Sequence, residues 1–184
     1  MAMQKTLTGF VLLLTMGLVS SLRAQSPSPQ KDEGSCRRFV LEFYDWYAAN
    51  IDSPGDLLER VLKLRRFAFS PELVRALREY LRIPPSPEGY INTLDFDPFV
   101  NAQDNAYQYV IGNVSRKDGN YWVEVYGIWS GKKGAQPDVV PEVTFQDGHW
   151  MFVNFHYVRG VGGTDMLSML KQVVDRQKQA ISKH

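Results

Sequence analysis

Cysteine is nearly absent from this chain. Cys36 stands alone, so no internal disulfide framework can form whatever the compartment. Charge excess is missing too: 21 basic residues face 20 acidic ones with no basic cluster, and nucleic-acid binding has no electrostatic footprint. The apolar run Gly9 to Val19 has eleven residues, short of the roughly 20 that a membrane-spanning helix needs. Histidines number three, and His149 and His156, seven apart, fall on opposite sides of an extended strand, which argues against a shared metal. No serine or cysteine occupies a nucleophile motif. The glycines of 160–163 lack the lysine and hydroxyl of a phosphate loop. These absences leave no metal and no cofactor to expect.

The first residues carry an export signature. Lys5 supplies a positive start, Gly9 to Val19 an apolar centre and Leu22-Arg23-Ala24 an exit with a small residue, as in a cleavable signal peptide over 1–24. The expected product is periplasmic or extracellular, with no transmembrane span after cleavage. Excision removes Lys5 and Arg23, so basic residues fall from 21 to 19 against 20 acidic ones, a net charge of −1. The stretch Gln25 to Glu33 has no apolar residue to bury, and residues 25–34 are expected to be a disordered leader. Cys36 reads as an ordinary thiol at a helix start. A lipid-attachment site is disfavoured because Lys31, Asp32 and Glu33 intervene before it.

Residues 35–184 are expected to form one α+β domain, a length sufficient for a real core. After a Ser35 cap, Phe39, Val40, Phe43, Trp46 and Tyr47 recur at helical steps to about residue 49. Asp52-Ser53-Pro54-Gly55 breaks that helix, and Leu57, Leu58, Val61, Leu62 and Leu64 mark a second over about 55–65. Ser70-Pro71-Glu72 opens a third with a cap, a first-turn proline and an acid suited to the helix dipole. Pro84-Pro85-Ser86-Pro87 ends it. A last amphipathic helix, about 165–181 and capped by Thr164, carries Met166, Leu167, Met169, Leu170, Val173 and Val174 on one side.

Between the third and last helices the period changes to two. Asp118-Gly119 and Asp147-Gly148 are tight-turn dipeptides between aromatic and β-branched runs, so strands are predicted at roughly 106–115, 121–129, 138–146 and 149–157. Two-residue loops set Ser115 opposite Trp122 and Phe145 opposite Trp150. The expected fold is therefore N-terminal helices packed on a curved four-stranded antiparallel meander, plus a C-terminal helix.

The segment Leu94 to Ala106 crowds Asp95, Asp97, Gln103, Asp104 and two asparagines beside Phe96 and Phe99. A structural reading makes it a self-bonded loop whose carboxylates accept from backbone amides. A functional reading makes it a polar site at the open end of the sheet. Its spacing fits no calcium loop.

These motifs carry a resemblance. Phe43-Tyr44-Asp45-Trp46-Tyr47, Phe69-Ser70-Pro71-Glu72-Leu73, Asp97-Pro98-Phe99 with Ala102-Gln103-Asp104, and a final strand from Trp150 to Tyr157 follow in order. The chain resembles a family of small exported bacterial proteins with a domain of unknown function, some of them envelope lipoproteins. The resemblance spans about residues 36–178. It implies a cone-like fold of the cystatin or nuclear transport factor two kind, with helices inside a curved sheet, and it carries over no catalytic residue.

On the strands, alternation groups Tyr121, Val123, Val125, Gly127 and Trp129 with Val110, Gly112 and Val114 as the core side. Trp122, Glu124, Tyr126 and Ile128 lie on the other side with Tyr109, Ile111 and Asn113. On the last strand Trp150, Phe152, Asn154 and His156 alternate with Met151, Val153, Phe155 and Tyr157. Glu124, Asn154 and His156 are polar residues set in apolar strands. Two classes of function follow. One is a non-catalytic envelope module that binds a small ligand or a protein partner through the cone mouth or a sheet face, using Asp97, Gln103, Asp104, Glu124, Tyr126, Asn154 and His156. The other is a dehydratase- or isomerase-type enzyme with His156 and Asp97 or Asp104 as acid–base pair.

Overall fold

The aromatic stripe of the first helical segment becomes α1 (Pro29–Asn50) in a computed structural model that describes residues 29–64, 66–84, 94–158 and 165–182. The export leader over 1–24, the Pro85–Pro87 breaker, Gly160–Gly163 and Thr164 fall outside the described residues. α1 begins at Pro29 rather than after a Ser35 cap, so the helix takes in part of the expected leader. Proline suits a first helical turn. Extending an already packed helix also needs only propagation, without a new nucleus. Val40, Phe43, Tyr44 and Tyr47 are buried. The Asn50 side chain and Arg60 then close the end, Asn50 Nδ2 donating to the Trp46 carbonyl and Arg60 Nη2 to the Asn50 carbonyl.

α2 (Leu57–Lys63) is shorter than expected and is capped by Asp56, which accepts from the Glu59 amide. α3 (Pro71–Leu81) starts as expected, with Ser70 Oγ accepting from the Leu73 amide. Between them Ala68–Phe69 forms β1, a strand absent from the four expected.

The four predicted strands are present as β2 (Tyr109–Lys117), β3 (Asn120–Trp129), β5 (Val140–Gln146) and β6 (His149–His156), paired antiparallel in meander order. Asp118-Gly119 and Asp147-Gly148 have positive φ at both positions, as tight hairpin turns require. Ser115 faces Trp122 and Phe145 faces Trp150. The sheet is larger than the four expected strands, because β4 (Lys132–Lys133) folds back on β3 and β1 joins β6 in parallel. On the β6 edge, β1 pairs Ala68 with Met151 and Phe69 with Phe152. An isolated bridge from Asp165 to His156 lies at the far end of the same strand. An edge strand with unpaired backbone invites foreign pairing, and both contacts reduce that exposure.

Two bulges correct the assignment of faces. In β2 the register jumps between Ile111 and Val114, so Gly112 and Asn113 oppose one residue of β3. Tyr109 and Ile111 consequently pair with Gly127 and Val125 on the core side, and Val110 pairs with Tyr126 on the other. In β6 the extra residue is Val153, which lets Phe152 and Phe155 both reach the core, away from Asn154 and His156. Strict alternation cannot show a bulge, since one inserted residue reverses every assignment beyond it.

The core is a lattice of rings. Phe43 lies 4.9 Å from Phe152, 5.3 Å from Phe67 and 5.5 Å from Phe99, centroid to centroid. One buried cluster joins α1, α3, the 94–106 loop, the sheet and α4 (Met166–Ile181). α4 docks through buried Met166, Leu170 and Val174, and its N-cap is Asp165 rather than the expected Thr164.

Candidate functional site

The helices cover one face of the sheet, and the opposite face gathers polar and aromatic side chains. Asn120, Trp122, Glu124 and Tyr126 project there from β3 because they are alternate residues. β5 contributes Glu142, paired with Trp122. The His156 ring stacks on the Trp122 ring at 3.8 Å and 15°. His156 Nε2 lies 2.9 Å from Glu142 Oε2, while Asn120 Nδ2 donates to Glu142 Oε1 at 2.6 Å. Lys117 Nζ sits 4.5 Å from the centre of the Trp122 ring. Trp122 Nε1 is buried and has no hydrogen-bond acceptor among the described residues.

Beside this cluster Glu124 Oε2 accepts from the Tyr126 hydroxyl at 2.9 Å and from the Asn113 amide at 3.0 Å. The second bond satisfies a donor that the β2 bulge leaves free of the ladder. Lys133 Nζ caps the Tyr126 ring at 3.9 Å.

Asn154 has a different task. Its amide oxygen accepts from the Phe155 and Leu167 amides, and its nitrogen donates to Asp165 Oδ1 at 2.8 Å. Asp165 in turn accepts from the Ser168 amide and hydroxyl. Burial pushes the Asp165 carboxyl up, but the bonds from Asn154 and Ser168 and the neighbouring His156 outweigh it and hold it below its ordinary value. Asn154 and Asp165 therefore fasten the start of α4 to β6.

The 94–106 loop splits its candidates. Asp97 Oδ1 accepts from the Phe99 amide at 2.9 Å and Oδ2 from the Tyr47 hydroxyl at 2.6 Å. Burial raises the Asp97 pKa, opposed by the bonds from Tyr47 and the backbone. Burial first, then the charge of Asp97, pushes the Tyr47 hydroxyl far up, so it stays a donor. Tyr44 and Tyr157 donate to the carbonyls of Phe99 and Pro98 at 2.8 Å each, pinning the same loop. Gln103 and Asp104 are exposed. Asp97 thus meets the structural expectation, whereas Asp104 makes none of the bonds expected of it among the described residues. Cys36 is buried, and its thiol is pushed up to about 12 by that burial, which leaves no thiolate for chemistry.

The structure brings His156, Glu124 and Tyr126 to one face and sets Asp97 under the helices. The carboxylate beside His156 is Glu142, which strand alternation does not single out. A bulge-free hairpin about Asp147-Gly148 would set Glu142 opposite Val153; the bulge sets it opposite Asn154, next to His156. Trp122 was legible as an outward aromatic, but its stacking on His156 joins strands separated by β5.

Clefts of about 450, 390 and 280 Å³ lie between α3 and α4, between α2 and α3, and beside α1 near the hairpin ends, and none is lined by His156 or Glu142. Among the described residues no group of three His, Cys, Asp or Glu side chains could hold a metal ion, and no helix is long and apolar enough to cross a membrane. No protein-family model, curated protein or solved structure matches the chain.

Proposed function

We propose that the chain is an exported, non-catalytic binding module of the cell envelope, a cone of the cystatin or nuclear transport factor two kind. It engages a small ligand or an envelope partner through the sheet face that bears Trp122, Glu124, Tyr126, Glu142 and His156. The observation that carries this reading is the filled interior. Phe43, Phe67, Phe69, Phe99, Phe152 and Phe155 pack ring to ring where an enzyme of this architecture would keep its pocket. Recognition then falls to the outer face, where aromatic surface and hydrogen-bonding groups lie side by side. An acid–base enzyme is the second reading. It would have to pair His156 with Glu142, because Asp97 is bonded to Tyr47.

Photo-crosslinking in exporting cells tests the binding face. A benzophenone amino acid at Ser115, exposed on that face beside Trp122, should give a discrete adduct that the same group at Gln172 on α4 does not. Equal labelling from both positions, or none from Ser115, would sink the assignment. Export is tested by intact mass. The mature chain should begin near Gln25 with Cys36 unmodified; a retained leader or a lipid on Cys36 overturns it.

A further inference from the structure

The smallest of the three clefts lies on the helix-bearing side of the sheet, beyond the packed core, where α1 passes the two hairpin ends. Its walls are unlike those of the larger grooves. Tyr121, Phe145 and Trp150 supply three rings, with Trp150 edge-to-face against Tyr121 at 5.1 Å and against Phe145 at 5.0 Å. Phe145 is 56% exposed, an unusual placement for a phenyl ring on the inner side of a sheet. Ser35 borders the cleft from α1.

Arg116 is the one charged side chain among the described lining residues. Its guanidinium carbon lies 4.8 Å from the centre of the Tyr121 ring, directly across the β2–β3 pair. It pairs with no carboxylate among the described residues. Stacking on a ring holds a guanidinium in place while leaving its edge donors free, and that fork matches a carboxylate in two-point geometry. The groove between α3 and α4 offers no such selection, because Glu72, Arg75, Lys171 and Asp175 mix both signs along it.

We propose that this cleft binds a small aromatic carboxylate. The ligand ring enters beside Phe145 and Trp150 and extends their edge-to-face stacking, and its carboxylate docks on Arg116. The volume sets the size. At about 280 Å³ the cleft is just below the range of drug-sized sites, about 300–1,000 Å³, so it suits a ligand of one ring. The site is independent of the outer face that carries Trp122 and His156, and either can fail without the other.

The test uses the mature chain and three probes: benzoate, benzyl alcohol as its uncharged counterpart, and acetate as the anion without a ring. Amide and indole NMR shifts are followed up to about 20 mM probe, since a single-ring ligand in an open cleft should bind with a dissociation constant on the order of 1 mM. Benzoate should shift the Trp150 indole N–H and the amides near Arg116 and Phe145. Benzyl alcohol and acetate should each bind about tenfold more weakly, as should benzoate to Arg116→Gln or to Phe145→Ser. Both substituted side chains are exposed, so spectra elsewhere should be unchanged. The proposal is overturned by the absence of shifts with benzoate, by acetate binding as well as benzoate (an anion on Arg116 only), by benzyl alcohol matching it, or by Arg116→Gln retaining full affinity.

Discussion

At the scale of single residues, Asp97 is the most informative position. It satisfies the Phe99 amide and the Tyr47 hydroxyl at once, and burial is the larger influence on its carboxyl. Because the folded pKa is raised, its ionisation opposes folding. The stability it contributes is complete below the ordinary carboxylate value of 3.8 and is lost as pH rises through the folded value. Asp97→Asn keeps both bonds with a neutral group, since the Tyr47 hydroxyl can also accept, and should leave Tm at pH 7 unchanged or raised. That advantage over the native protein should shrink toward acid pH. Asp97→Ala strands two donors and should cost about 1.5–3 kcal/mol, about 3–12 °C in Tm for a chain of this size. Asp104→Ala should not shift Tm, as its side chain is exposed. Thermal melts across pH check all three. A large loss with Asp97→Asn, or with Asp104→Ala, would contradict this account of the loop.

At the scale of elements, α4 depends on a polar clasp as well as on its apolar face. Asp165 caps the helix, bridges to the His156 backbone and receives the Asn154 amide. Its folded pKa is lowered, so the stability it contributes is present above the ordinary value of 3.8 and is lost as pH falls through the folded value. Loss of an N-cap costs about 0.5–2 kcal/mol, and the strain falls on α4 first. Asp165→Ala should therefore accelerate hydrogen exchange in α4 well before it does so in β3 or β5. It should also remove the acid-induced weakening of α4 expected of the native chain. Uniform acceleration across the sheet would instead mean that the clasp supports the whole fold.

At the scale of the molecule, the ring lattice ties helices and sheet into one buried cluster. Phe43 touches rings from β1, β6, the 94–106 loop and Phe67 before β1. Truncating such a residue leaves a cavity in a stiff packing, and Phe43→Ala should cost about 3–5 kcal/mol. Unfolding in denaturant should remain a single transition, with tryptophan fluorescence and far-UV circular dichroism coinciding in both the native chain and the variant. Separate midpoints for the two signals would show that the helices and the sheet unfold independently.

Much of this architecture was legible in the sequence wherever the determinant is local. Positive φ at Asp118-Gly119 and Asp147-Gly148 sets both hairpin registers within a few residues, and Ser70-Pro71 starts α3 through its own side-chain bond. The aromatic stripe of α1 declares its buried face by spacing alone. What only the tertiary structure decided is whatever depends on a partner distant in the chain. β1 is a strand because β6 offers an open edge, and Asp165 caps α4 in the company of Asn154. Bulges in β2 and β6 reverse the faces beyond them, which moved Tyr109, Ile111 and Phe152 relative to their alternation and brought Glu142 to His156. A bulge is selected by packing on both sides of a sheet, and no window of one strand contains that information.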